Sequence, residues 1–345
     1  MIWKNFFRKK SKSSLQKMTM ENTDIISQKA DFQQLYPDGP FPALIVNGDE
    51  NLKLEQALQW VEAEKGRLFQ ALSDSGAVLF RGFPLRSPED FDAFIGAFGE
   101  TGFTYKESLS NAVRVSLTPR VFTANEAPPE VGIYLHHEMA QTPLYPSKLY
   151  FFCEIAAEKG GETPLCRSDV LLDRMQEEMP EFVQNCREKM VKYSLIMPSV
   201  DDPESGQGRG WQSTLGVGTQ EEGEARLANL GYSWCWLDDG SLLTTTPALP
   251  AIKKSANGRE AFFNQLIAAF LGWADISETG VHKIAFGDGT PMPEVSLQKV
   301  CDMAEDLIVD LPWQAGDVAL VDNYQVMHGR RSFVGKRRVL ASLIS

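Results

Sequence analysis

Histidine is scarce in this chain: 345 residues hold four, at positions 136, 137, 282 and 328. Cysteine is nearly as rare. Cys153, Cys166, Cys186, Cys235 and Cys301 are scattered, odd in number and form no CxxC pair. That excludes a disulfide framework and a cysteine-based zinc site, and it fits a reducing, cytoplasmic setting. No apolar run is long enough to span a bilayer. Positive charge is also in deficit, 34 Lys and Arg against 46 Asp and Glu, for a net charge of −12. A chain this acidic is no partner for nucleic acid.

The deficit is uneven. Lys4, Arg8, Lys9, Lys10, Lys12 and Lys17 fall within the first twenty residues, which contain no acid. Trp3, Phe6 and Phe7 would suit a membrane-surface anchor, but no secretory core is present. The plainer reading is a disordered basic tail over 1–30, followed by one domain over 31–345.

Periodicity then organises the chain. Leu54, Ala57, Leu58, Val61, Leu68, Phe69 and Leu72 form one helical stripe that Gly76 ends. The stretch 77–83, "AVLFRGF", reads as a buried strand. Ser87, Pro88, Glu89 and Asp90 read as an N-cap, a proline at the first helical position and acids in the first turn. Short aromatic strands and turns fill about 103–155. A polar, partly helical excursion covers about 170–235, and a helix is expected over 296–309. Strands follow at "DVALVDNY" and "RRVLASLI". Strands on both sides of a helical insertion predict an α+β domain whose sheet closes late in the sequence.

Two of the four histidines stand together in "IYLHHEMA" (133–140). In a strand, alternate residues share a face, so His136 and Glu138 point one way and His137 the other. An imidazole beside a carboxylate offers two ligands to a divalent metal. "LVDNYQVMHGR" supplies a third in His328. Two histidines and one carboxylate leave open positions on an octahedral metal, which is what non-haem Fe(II) oxygenases require. His282 has no carboxylate at similar spacing and reads as a surface or structural residue. His137 reads as packing. Two features reinforce the iron reading. Thr163 follows the glycine pair 160–161, and Arg337-Arg338 opens the last strand. A hydroxyl with an always-charged fork suits a distal carboxylate.

The sequence resembles the taurine dioxygenase/clavaminate synthase-like superfamily of Fe(II)- and 2-oxoglutarate-dependent oxygenases, and within it the syringomycin-biosynthesis-type hydroxylases. The matching stretches include "GAVLFRGF", "TANEAPPEVGIYLHHEMAQ", "YPSKLYFFCEIAAEKGGETPL" and "WQAGDVALVDNYQVMHGRRSFVGKRRVLASL". The resemblance implies a double-stranded β-helix (jelly roll) core with flanking helices and a mixed insertion between core strands. It implies Fe(II) on His136, Glu138 and His328. It also implies 2-oxoglutarate as cosubstrate on Thr163 and one of Arg337 and Arg338, with O2 as oxidant. Neither face of the last strand is decisively the inner one, so both arginines stay open.

The implied reaction hydroxylates an unactivated C–H and releases succinate and CO2. Family halogenases lack the carboxylate ligand, so Glu138 argues for hydroxylation, with desaturation or epoxidation as variants. The implied substrate is an amino acid or an amino-acid unit, free or tethered to a carrier protein. Tyr105, Arg114, Asn125, Phe263, Asn264 and Arg330 are candidate contacts. A catabolic dioxygenase of a sulfonate or other small acid, and an inactive cupin-like binding module, are the competing readings.

Overall fold

In the computed structural model the described residues are 25–103, 108–110, 112–124, 127–202, 208–255 and 257–345. Their frame is a pair of facing β-sheets. The major sheet has seven strands in the order Ile25–Gln28, Ala43–Asn47, Ala77–Arg81, Val318–Asp322, Lys148–Ile155, Arg338–Ile344, Phe122–Thr123. All neighbours are antiparallel except Ala43–Asn47 with Ala77–Arg81. The minor sheet has four antiparallel strands in the order Ile308–Leu311, Thr163–Arg167, Val326–Arg330, Ile133–His136. Ile25–Gln28 lies inside the stretch read as a tail but is a strand of the major sheet, so the reading fails there; the rest of the basic stretch, 1–24, lies outside the described residues.

One apolar cluster joins the sheets, Leu149, Phe151, Val339 and Ala341 from one and Leu165, Val309, Leu311 and Val326 from the other. Two helices, Leu54–Ser75 and Pro88–Phe98, cover the outer face of the major sheet. Tyr150, Phe152, Leu320 and Leu340 meet Trp60, Leu68, Phe91 and Phe94 there. Each such side chain contributes roughly 1.5–3 kcal/mol by leaving water.

The local signals act as expected. Ser87 Oγ accepts from Asp90 N at 3.2 Å, with Pro88 at the first helical position. Gly76 closes the longer helix at φ 86°, and a Cβ there would lie 2.7 Å from Val326 Cγ2. Glycine is therefore required both by conformation and by space.

Residues 168–307 are inserted between two strands of the minor sheet and cover its outer face. Leu135, Cys166 and Met327 pack there against Leu171, Leu172, Phe262 and Leu266. The insertion carries a third sheet, in the order Ser233–Trp236, Leu242–Thr245, Val191–Met197, Ile284–Phe286. Two details differ from expectation. The start of the partly helical excursion is two helices, Ser168–Glu178 and Pro180–Lys189, because Pro180 cannot continue the first. The helix expected to reach 309 ends at Glu305, and Ile308–Leu311 is a strand paired with Thr163–Arg167. Its leucine-and-isoleucine ending fits either period. No helix of the described residues is long and apolar enough to cross a membrane.

Candidate metal and cosubstrate site

Strand alternation in the minor sheet sends Cys166, Met327 and Leu135 outward, into the insertion. The opposite parity faces the interior: His136, Thr163, Leu165, Val326 and His328. His136 and His328 are direct cross-strand partners, and their ring centroids lie 4.3 Å apart. A register shift follows His328, between it and Arg330.

The strand itself stops at His136. Glu138 is therefore placed by a turn and not by strand alternation, and Met139 after it sits at φ 59°. Asn323 fixes that turn. Its side chain accepts from Glu138 N at 2.7 Å and donates to Glu138 O at 3.1 Å and Pro146 O at 2.8 Å. His137 does point away, as expected. It is fully buried, its Nδ1 meets Asn323 O, and its ring lies 4.8 Å from that of Phe263.

One ligand atom each from His136, Glu138 and His328 lies within 4.8 Å of the others. Glu138 Oε2 is 3.4 Å from His328 Nε2 and 3.9 Å from His136 Nε2. His136 Nδ1 is engaged with Tyr134 O at 2.8 Å, which turns Nε2 toward the cluster. His328 is held by packing, its ring 5.1 Å from that of Phe151.

Burial and the neighbouring His328 push the His136 pKa down to about 4. Burial alone would raise the Glu138 pKa, but Arg114 and the two imidazoles outweigh it and bring it to about 2. At neutral pH His136 is uncharged and Glu138 is a carboxylate. Two imidazoles and a carboxylate oxygen, their lone pairs converging, suit a small divalent cation of borderline hardness.

These three residues line a cavity of about 560 Å³, together with Thr163, Arg337, Arg114 and Arg330. Arg337 Nε donates to Gly161 O at 2.8 Å. Gly161 has φ 74°, and a Cβ there would come within 2.9 Å of Arg337 Cδ, so this glycine makes room for the arginine. Burial and the charge of Arg330 lower the Arg337 pKa to about 10. Arg338 does not line this cavity. Its side chain is 42% exposed and pairs with Glu154 at 2.6 Å. Thr163 is buried, and its Oγ1 accepts from Trp313 Nε1 at 2.9 Å. That bond leaves the Thr163 hydroxyl proton for another acceptor.

The expected substrate contacts divide. Tyr105 and Asn125 lie outside the described residues. Arg114 and Arg330 line the cavity. Arg330 is occupied by the loop beside it, donating to the carbonyls of Ala127, Pro128 and Val131 at 2.9, 2.8 and 2.6 Å. Arg114 Nη2 lies 3.1 Å from Glu138 Oε1. Asn264 is not a cavity residue. It is buried, donating to Ala251 O at 3.1 Å and accepting from Leu266 N at 3.0 Å, so its amide is spent on the backbone. Phe263 packs with His137, Tyr145 and Tyr324 outside the cavity lining. His282 is exposed. Gln141, Gln265, Trp273 and Trp313 were not foreseen. Their contacts come from loops and the insertion, which carry no periodic signal.

Residues 38–343 match the family model "Taurine catabolism dioxygenase TauD, TfdA family". A clavaminate synthase-like protein of Arabidopsis thaliana is 42% identical over 317 residues, covering 90% of this chain and 96% of that protein. The dapdiamide synthesis protein DdaC of Enterobacter agglomerans is 28% identical over 290 residues, covering 80% and 84%. A taurine dioxygenase from Burkholderia xenovorans shares the fold at TM-score 0.52 and 15% identity, over 93% of this chain and 90% of that one. The chain belongs to the TauD/TfdA family of Fe(II)- and 2-oxoglutarate-dependent dioxygenases.

Proposed function

We propose that this protein hydroxylates an unactivated C–H of an amino acid or amino-acid-derived substrate, free or carrier-tethered, in a biosynthetic pathway. The observation that carries the reading is the cluster His136, Glu138 and His328 in the wall of a cavity that also holds Thr163 and Arg337. The two facing sheets are read as the double-stranded β-helix of the family, within a single domain that extends upstream of residue 31 to take in Ile25–Gln28. The biosynthetic role is supported by the likeness to a dapdiamide synthesis protein. The five unpaired cysteines support a cytoplasmic site of action.

In this reading His136, Glu138 and His328 hold Fe(II). The metal, with 2-oxoglutarate and O2, supplies the oxidising power, and succinate and CO2 are the cosubstrate's products. The chain's own residues do the positioning. Arg337 presents a charged fork to the distal carboxylate of 2-oxoglutarate, and Thr163 donates the proton that Trp313 leaves available to it. Phe151, Ile133, Val339 and Trp273 give the cavity apolar walls that keep water from the reacting carbon. Arg338 stays on the outer surface with Glu154.

The test is succinate release by the iron-loaded protein across amino acids, an amino-acyl carrier protein and taurine. The reading expects stimulation well above the uncoupled rate by an amino acid or the loaded carrier. Stimulation by taurine alone would assign it instead to sulfonate catabolism. No 2-oxoglutarate turnover under any condition would reduce it to a binding module.

A further inference from the structure

Glu138 has two oxygens, and the fold treats them differently. Oε2 faces the imidazoles of His328 and His136, at 3.4 and 3.9 Å. Oε1 faces Arg114, at 3.1 Å from Nη2. Both side chains of that ion pair are buried, with 9% and 6% of their surface exposed. Arg114 is in turn seated on the Phe122 ring, its Cζ 5.3 Å from the centroid. The backbone of Glu138 is pinned from the other side by Asn323. The carboxylate is therefore clamped with one oxygen toward the metal ligands and the other on a guanidinium.

That division matters for counting. A carboxylate free to rotate can chelate a divalent cation through both oxygens and take four protein positions in all. A clamped one gives a single oxygen, keeping the protein at three and leaving an adjacent position for a chelating cosubstrate. Arg114 also places a positive charge close to a cation, which opposes metal binding at the same time as it preserves the open position.

We infer that Arg114 is a positioning residue that holds Glu138 to one-oxygen metal ligation and so reserves a coordination position for 2-oxoglutarate. This rests on the proposed metal site. It gives a cavity residue that could pass for a substrate anchor a different task. It also predicts that its loss strengthens one affinity while weakening another, which a merely structural arginine would not do.

The experiment titrates the full chain with Mn(II) alone, and then titrates the Mn(II)-loaded protein with 2-oxoglutarate. The wild type is compared with Arg114→Met and Arg114→Lys. With the clamp and its charge removed, Arg114→Met should bind Mn(II) about three- to tenfold more tightly. Its 2-oxoglutarate affinity should fall roughly tenfold, as a two-oxygen carboxylate competes for the same position. Arg114→Lys, which restores a charge but not the fork, should fall between the two on both readings. A thermal melt of each apoprotein reports folding. If Arg114→Met does not fold, the lysine variant carries the test by the same opposed shifts. Arginine variants that bind Mn(II) more weakly, or that leave 2-oxoglutarate affinity unchanged, overturn the inference while the metal site stands. A wild type that binds neither Mn(II) nor 2-oxoglutarate overturns the metal site itself, and the role of Arg114 with it.

Discussion

Val318–Asp322 and Val326–Arg330 are consecutive strands, five residues each, and every residue in both is buried. They lie in opposite sheets and do different work. "VALVD" in the major sheet is apolar up to its last residue, and both its faces are covered, by the helices outside and by the sheet core inside. "VMHGR" in the minor sheet buries an imidazole and a guanidinium on its interior side. A buried polar group is costly unless something satisfies it: Asp322, the one polar side chain of "VALVD", accepts from Tyr324 N and Gln325 Nε2, whereas His328 and Arg330 of "VMHGR" line the cavity. Val326–Arg330 contributes His328 and Arg330 to the cavity lining, and Val318–Asp322 contributes none of it.

The largest effect expected from this division is on stability in the major sheet. Phe152 is fully buried and stacks on Phe91 at 5.2 Å. Phe152→Ala should cost about 3–5 kcal/mol in a denaturant titration while leaving the metal affinity of the folded fraction unchanged. A matched loss of metal affinity in the folded fraction would break the separation between the sheets.

The next prediction sharpens it at Arg337, which immediately precedes the last strand of the major sheet, Arg338–Ile344. Arg337→Leu should raise the apparent 2-oxoglutarate requirement roughly a hundredfold, with metal binding retained. Arg338→Leu, which loses only a pair that is 42% exposed on the arginine side, should change it less than about threefold. Equal effects from the two arginines in a 2-oxoglutarate titration would remove the distinction drawn between them.

The smallest predicted effect concerns the other histidine of the pair. His137→Asn should cost about 1–3 kcal/mol of stability, because a fully buried ring bonded to Asn323 is lost. Metal affinity should stay close to wild type in the same preparation. A collapse of metal affinity out of proportion to the stability loss would put His137, and not only its neighbours, at the site.

These contrasts mark what the sequence could and could not disclose. His136, Glu138 and His328 were legible because donors are rare here and the spacing is local. The reason given for Glu138 was incomplete, since the strand ends at His136 and Asn323 orients the turn. Arg337 lines the cavity beside Val339, which with Ala341 belongs to the inner core, while Leu340 belongs to the outer one. Which set was inner could not be read, because helices make the outer face as apolar as the inner. Asn264 looked like a ligand contact because a buried amide and a site amide are indistinguishable until their partners are known. Likewise, nothing in "NAVRVSL" reveals that Arg114 meets Glu138 across 24 residues.

The account rests most directly on His328, the proposed ligand whose strand lies beside His136 and which completes the cluster at 136 and 138. An anaerobic titration of Fe(II) and 2-oxoglutarate into wild type and His328→Ala, followed by the visible charge-transfer band of the chelate, decides the matter. The band should form at stoichiometric iron in the wild type and be absent or greatly weakened in a variant that melts as a folded protein. A band of wild-type intensity and affinity in His328→Ala would contradict the placement of iron on His136, Glu138 and His328.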